Sequence, residues 1–151
     1  MQLISEKVAQ EIGKLPNRID QVTPTETVGI NFVNVAESHV LFFGRVKDFV
    51  HGELAGSEAD FAEFGPCCEL EEWLNGIGAS RFGQLRSFCR LHEAHAEFHR
   101  HAADVLAMIY AGSWIAAEHI RKSELSQALR RVLIALTELN ESIKKQAWSV
   151  S

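Results

Sequence analysis

The chain has 151 residues, of which 46% are hydrophobic and 23% charged. That composition excludes intrinsic disorder, and the length suffices for one domain whose core needs no disulfide staples. Charge is 15 Lys+Arg against 20 Asp+Glu, a net −5 with histidine neutral. The longest single-sign stretch, Asp48 to Ser80, carries eight carboxylates and no Lys or Arg, which excludes DNA and anionic membrane surfaces as partners for that side of the molecule. No segment approaches the roughly 18–20 consecutive apolar residues of a membrane span. The amphipathic start Met1-Gln-Leu-Ile-Ser-Glu-Lys-Val8 is not that of a signal peptide. Three cysteines, Cys67, Cys68 and Cys89, are an odd number with two of them vicinal. A disulfide framework is therefore not expected, and a reducing cytoplasm is.

Helical periodicity runs almost throughout. Ile4, Val8, Ile12 and Leu15 predict a short helix over 2–15, ended by Pro16 and followed by a polar linker to residue 22. Thr23-Pro24-Thr25-Glu26 reads as a helix start, with Thr23 as cap, Pro24 in the first turn and Glu26 at the capping-box position. Ile30, Val33, Ala36, Val40, Phe43, Val46 and Val50 then step by three and four, predicting one long amphipathic helix over 24–52. Residues 53–66 read as a loop, 67–74 as a short helix and Asn75-Gly76-Ile77-Gly78 as a second loop. A third long helix is expected over 81–111, stopping at Gly112. A fourth, capped by Ser113, should span 114–146, with Leu125, Leu129, Val132, Leu136, Leu139 and Ile143 forming an a/d seam. No strand alternation or internal repeat is visible. The expected fold is all-α: a four-helix bundle with a short extra helix and an N-terminal helical segment. Its organisation is residues 1–22 as N-terminal segment and linker, 23–147 as the bundle and 148–151 as a tail.

Seven histidines are many for this length, and five lie in the third helix and the start of the fourth. In Leu91-His92-Glu93-Ala94-His95-Ala96-Glu97-Phe98-His99-Arg100-His101, His95 and His99 are four apart, so both imidazoles can reach one metal ion. His92 is one turn earlier; His101 points well away. His39 lies mid-helix on the Val35/Phe42/Val46 side, where a buried imidazole needs a partner. Cys68 opens the short helix, a position that favours the thiolate, the metal-binding form. Cys67 is the local competitor for that role, and His92 a possible substitute ligand.

Cys68-Glu69-Leu70-Glu71-Glu72-Trp73, with Gly76 shortly after, resembles the Cys-x-Leu/Phe-Gly-x-Trp signature of the chemoreceptor zinc-binding (CZB) domain family. That family also carries a histidine far upstream on its first helix and a His-x-x-x-His on its third. The resemblance therefore implies His39, Cys68, His95 and His99 as ligands of a Zn²⁺ ion. Arg81-Phe-Gly-Gln-Leu85 and Ala111-Gly-Ser-Trp114 are also similar to the family pattern, so the likeness spans roughly residues 32–145. Two positions depart from it: Glu71 stands in place of the motif glycine, and Ala94 in place of a proline that often precedes the first histidine of the pair.

Three imidazoles and one thiolate suit tetrahedral Zn²⁺, with Zn–N of about 2.0–2.1 Å and Zn–S of about 2.3 Å. Four protein ligands close the shell and leave no position for an activated water, so an enzyme is not expected. The resemblance implies a cytoplasmic sensory domain. Zinc occupancy, or oxidation of the cysteine by an agent such as hypochlorous acid, would act on a chemotaxis or cyclic-di-GMP partner, and a homodimer is implied. Two other readings stand beside it: a metal-free dimeric helical adaptor, and a di-iron bundle enzyme using Glu37 and Glu93 or Glu97. The second lacks the Glu-x-x-His pairs on two helices that such centres use. Trp73 is expected as a core anchor and Cys89 as core packing, with Trp114 against the loop before it. His51, His92, His101 and His119 are expected on the surface.

Overall fold

The computed structural model describes residues 28–51 and 68–150, with side chains to residue 146. All regular structure among them is helical: α1 (Phe32–Val50), α2 (Glu69–Asn75), α3 (Ile77–Phe82), α4 (Arg86–Tyr110), α5 (Trp114–Ile120) and α6 (Ser126–Val150). α5 runs into α6 through a wider π-type segment, Arg121–Leu125, so the two form one continuous helical rod. The predicted helix over 2–15, its linker, the cap at Thr23 and the loop over 53–66 lie outside the described residues, as does Cys67.

The long helix expected from residue 24 does not run unbroken. Gly29 adopts φ +82°, and Asn31 caps a fresh start at Phe32, its side chain accepting from the Asn34 N–H at 3.0 Å. Sequence periodicity carried through this break because Val28, Ile30 and Phe32 are all buried on either side of it. What the break achieves is positional: it presents the Val28 carbonyl to the Trp73 indole N–H, 2.8 Å away. The second expected loop is also shorter than predicted. Gly76 alone separates α2 from α3, and the third long helix begins at Arg86 after a turn at Gly83–Leu85, not at residue 81. Gly78 is the reason for the compact joint: a Cβ there would lie 2.6 Å from the Trp73 carbonyl oxygen and 2.7 Å from its ring, so α3 can fold back over Trp73 only with glycine.

α4 packs along α6, and α1 lies against α6 and α5. The predicted seam is the core of this bundle: Leu125, Leu129, Val132, Leu136, Leu139 and Ile143 are all buried within the single chain. They meet Leu91, Phe98, Ala102 and Val105 of α4 and Val35, Ala36, Phe42 and Val46 of α1 in one apolar cluster. Burial of this area is the main stabilising term, at about 25 cal/mol per Å² of apolar surface. Across the solvent edge of α4 and α6, Arg90 pairs with Glu138 and Arg131 with Glu97. Trp73 is the anchor expected, buried beside Phe32 and Phe88 with both ring centroids at 5.8 Å. No helix of the described residues is long and apolar enough to cross a membrane.

Three expectations need correction. Cys89 is exposed, because it shares the outward face of α4 with His92, one turn on, while Phe88, Leu91 and His95 turn inward. Trp114 is 45% exposed at the start of α5 and does not bury against the preceding turn. His101 is half-buried beside Asp104. His92 and His119 are exposed as expected, and exposed His51 makes a 3.1 Å contact to Glu118 that ties the end of α1 to α5.

Candidate metal centre

Three helices converge on one point near the middle of the bundle. α1 supplies His39, α4 supplies His95 and His99 one turn apart, and Cys68 stands at the N-cap of α2. One ligand atom from each of these four residues lies within 4.8 Å of the other three. Cys68 Sγ is 3.1 Å from His95 Nε2 and 3.7 Å from His99 Nε2. A tetrahedral shell with the bond lengths of zinc separates S and N atoms by about 3.6 Å and two N atoms by about 3.3 Å. The cluster is therefore close to the size such an ion requires. The imidazole rings stand edge-on to one another, with centroids 4.4 Å apart for His95–His99, 5.2 Å for His39–His95 and 5.7 Å for His39–His99.

The outer nitrogens are oriented by the fold. His39 Nδ1–H donates to the Val35 carbonyl, 2.8 Å away and one turn back on α1. That fixes the tautomer with a bare lone pair on Nε2, which points into the cluster, is buried and has no hydrogen-bond partner. A buried acceptor left without a partner costs about 1–3 kcal/mol. An ion accepting that lone pair removes the cost, and this orphaned nitrogen is the observation by which the residues fit a metal. His95 Nδ1–H donates to Glu71 Oε2 at 3.1 Å, so its Nε2 likewise faces Cys68.

Protonation states agree with this geometry. Burial pushes His39 down to about 4, partly opposed by its Val35 bond and reinforced by His99. Burial and the neighbouring His99, His39 and His92 push His95 down to about 3. His99 is lowered too, by burial, with Glu71 opposing. All three imidazoles are thus neutral near pH 7, the form that binds metals. The cysteine reverses the sequence expectation. Its N-cap position does bring backbone N–H groups to the sulfur, Glu71 N at 3.4 Å among them, but burial outweighs them and raises the thiol above its usual value. In the bare cluster Cys68 is a thiol; a bound cation would displace its proton.

All four sequence-derived residues come together, and the two substitutes do not join them. His92 is exposed, and Cys67 is outside the described residues. The residue that sequence reasoning missed is Glu71. It stands in place of the motif glycine, and its carboxylate holds His95. The signal available was its register: three residues after an N-cap, a glutamate is on the turn that faces back over the cap. The carboxylates of the di-iron alternative stand elsewhere. Glu93 is exposed, Glu97 is engaged by Arg131, and the four-residue cluster contains no Asp or Glu.

The described residues form an all-helical bundle in which three histidines and a cysteine are gathered where they could hold a metal ion. Residues 39–106 match the family model of the chemoreceptor zinc-binding domain, CZB. The matched span contains each of the four clustered residues. No curated protein and no solved structure matches the chain.

Proposed function

We propose that the chain is a zinc-binding sensory domain whose ligands are His39, Cys68, His95 and His99, and whose output is the position of α2. The observation that carries this reading is the buried, unpartnered Nε2 of His39 facing two further neutral imidazoles and a cysteine. A zinc ion bound there supplies a positive charge that joins α1, α2 and α4 at one point. The protein's own part is to keep the imidazoles neutral, orient their outer nitrogens and hold the sulfur at the start of a seven-residue helix. That helix is too short to be stable by itself, so its place depends on the packing of Leu70, Trp73 and Leu74 and on Cys68.

Cys68 is the natural point of input. Hypochlorous acid converts a thiolate to a sulfenic acid, RS⁻ + HOCl → RSOH + Cl⁻, which consumes the ligand form of the sulfur. Losing that ligand leaves α2 held by the burial of Leu70, Trp73 and Leu74 and by the Glu71–His95 contact, without its link to the ion. The family resemblance supports a cytoplasmic setting, a homodimer, and a chemotaxis or cyclic-di-GMP partner as receiver of the change. Because the Leu125–Ile143 seam is used inside the chain, a dimer surface has to lie elsewhere.

The test is zinc release followed with a chromophoric chelator while the zinc-loaded protein is titrated with hypochlorous acid. Amide exchange is read over α2 in the same samples. Zinc release that tracks Cys68 oxidation, with exchange rising in residues 69–75 and little changed in α6, is the expected result. Oxidised Cys68 with zinc retained and α2 unaltered would refute the switch.

A further inference from the structure

Glu71 touches two of the four clustered residues at once. Its backbone N–H is directed at Cys68 Sγ at 3.4 Å, and its carboxylate Oε2 lies 3.1 Å from His95 Nδ1. The other carboxylate oxygen, Oε1, accepts from Asn75 Nδ2 at 3.1 Å, and the same Asn75 amide donates to the Glu71 carbonyl at 2.9 Å. The glutamate is therefore clamped from one side by α2 itself and presented to α4 from the other. A chain of contacts runs from Asn75 through Glu71 and the His95 ring to the centre of the cluster. The backbone bond needs only a peptide and would survive with glycine at this position; the carboxylate contact would not.

Charge makes the same point independently. A divalent ion with three neutral imidazoles and one thiolate carries a net charge of +1, in a pocket where His39 is 4% and His95 1% exposed. Leaving a charge without a counter-ion in such surroundings is costly. One carboxylate on the far side of His95 brings the sum to zero. The remaining acidic residues of the helix, Glu69 and Glu72, are exposed and make no contact with the clustered imidazoles among the interactions described.

We propose that Glu71 is the positioning residue and counter-ion of the metal centre. It locks His95 with Nε2 toward the ion, and it neutralises the charge of the loaded site. This inference rests on the metal-centre reading above. It adds that the glutamate in place of the motif glycine tightens divalent-metal binding and makes the site more selective for a divalent ion over a monovalent one. With a monovalent soft cation the same ligands and Glu71 sum to −1, so the carboxylate contributes less to holding Cu⁺ than to holding Zn²⁺.

The experiment is a zinc titration of the reduced, metal-stripped chain against a competing chromophoric chelator, for wild type, Glu71→Ala, Glu71→Gln and Glu72→Ala. Co²⁺-loaded spectra are recorded in parallel. Removing an outer-shell partner of a ligating histidine weakens binding by about 10–100-fold, and this is expected for Glu71→Ala. Glu71→Gln keeps an oxygen for the His95 N–H but loses the charge, so it should fall between wild type and the alanine variant. Glu72→Ala should stay within about twofold of wild type, since that residue is exposed and touches neither ligand. The Co²⁺ d–d bands should shift in Glu71→Ala, as a freed His95 ring changes the ligand field; a merely structural role for Glu71 would leave them in place. Wild-type affinity and an unchanged Co²⁺ spectrum in Glu71→Ala would overturn the proposal while leaving the metal centre intact. Equal losses in Glu71→Ala and Glu72→Ala would overturn it too, showing only a general effect of acidic charge. Should Glu71→Ala fail to fold, Glu71→Gln decides, and wild-type affinity there refutes the counter-ion role. Absence of metal binding by the wild-type chain would instead refute the centre itself.

Discussion

Replacing His39 by leucine separates the demands of stability from those of the site. His39 is 4% exposed, its Nε2 has no hydrogen-bond partner, and burial lowers the ring to about 4, so it is neutral near pH 7. An orphaned buried acceptor costs about 1–3 kcal/mol. Leucine removes it and brings apolar surface against Phe98, which itself packs on Phe42. Val35 loses the side-chain donor but keeps its carbonyl in the helical ladder of α1. Some of the gain is offset by imperfect packing of a branched chain where a flat ring lay. The balance is a stabilisation of about 1–2 kcal/mol for His39→Leu in chelator, or roughly 2–8 °C in Tm for a chain of this size. With zinc the order should invert. Wild type gains about 4 kcal/mol when free zinc is a thousandfold above Kd. A lost ligand weakens binding by more than the 10–100-fold of an outer-shell loss, which removes at least about 2.7 kcal/mol of that gain. The assay is thermal or urea unfolding of both proteins, with chelator and with buffered zinc. A His39→Leu chain that is less stable than wild type without metal, or that retains the full zinc-induced stabilisation, would refute the reasoning.

Two further outcomes follow from the packing. Gly78→Ala should cost about 1–3 kcal/mol and weaken metal binding, because its Cβ would collide with the Trp73 carbonyl and ring and displace α2; urea unfolding and a chelator competition check this, and wild-type values in both would contradict it. Glu118 is held down to about 2, chiefly by its bonds to the Arg121 guanidinium, with burial opposing and His51 assisting. Its folded value is depressed, so its contribution is complete above the ordinary value of 4.5 and is lost as pH falls from there toward about 2. Since Glu118 is partly exposed, about 1 kcal/mol is the expected size, and Glu118→Gln should flatten the stability profile over that window; an unchanged acid profile would count against the pairing.

Much of this architecture was legible in the residues. The Leu125–Ile143 seam needed only its 4-3-4 spacing, because side chains at that period must share a face whatever the partner helix. His95 and His99 were readable for the same reason, and His39 because an imidazole stood among Val35, Phe42 and Val46. Other features were hidden because they depend on contacts distant in sequence. The break at Gly29 serves Trp73, 44 residues further on, and hydrophobic periodicity passes straight through it. The joint at Gly76 reads as a loop because Asn75-Gly76-Ile77-Gly78 has the composition of a turn, whereas Gly78 is there for a close approach to Trp73. The Cys68 thiol was expected to be acidified by the helix start, a local effect; burial by α4 and α1, a tertiary one, is larger. Glu71 was legible as a departure but not as a contact, since nothing local shows that α2 lies against His95.

In the proposed centre these four residues hold one zinc ion. Elemental analysis of the purified chain, after exchange into metal-free buffer and reloading under reducing conditions, tests it most directly, beside Cys68→Ala and His95→Ala. About one zinc per chain in wild type, with binding lost or strongly weakened in both variants, is expected. A folded, fully reduced wild-type chain that takes up no zinc, or variants that bind it as well as wild type, would contradict the assignment.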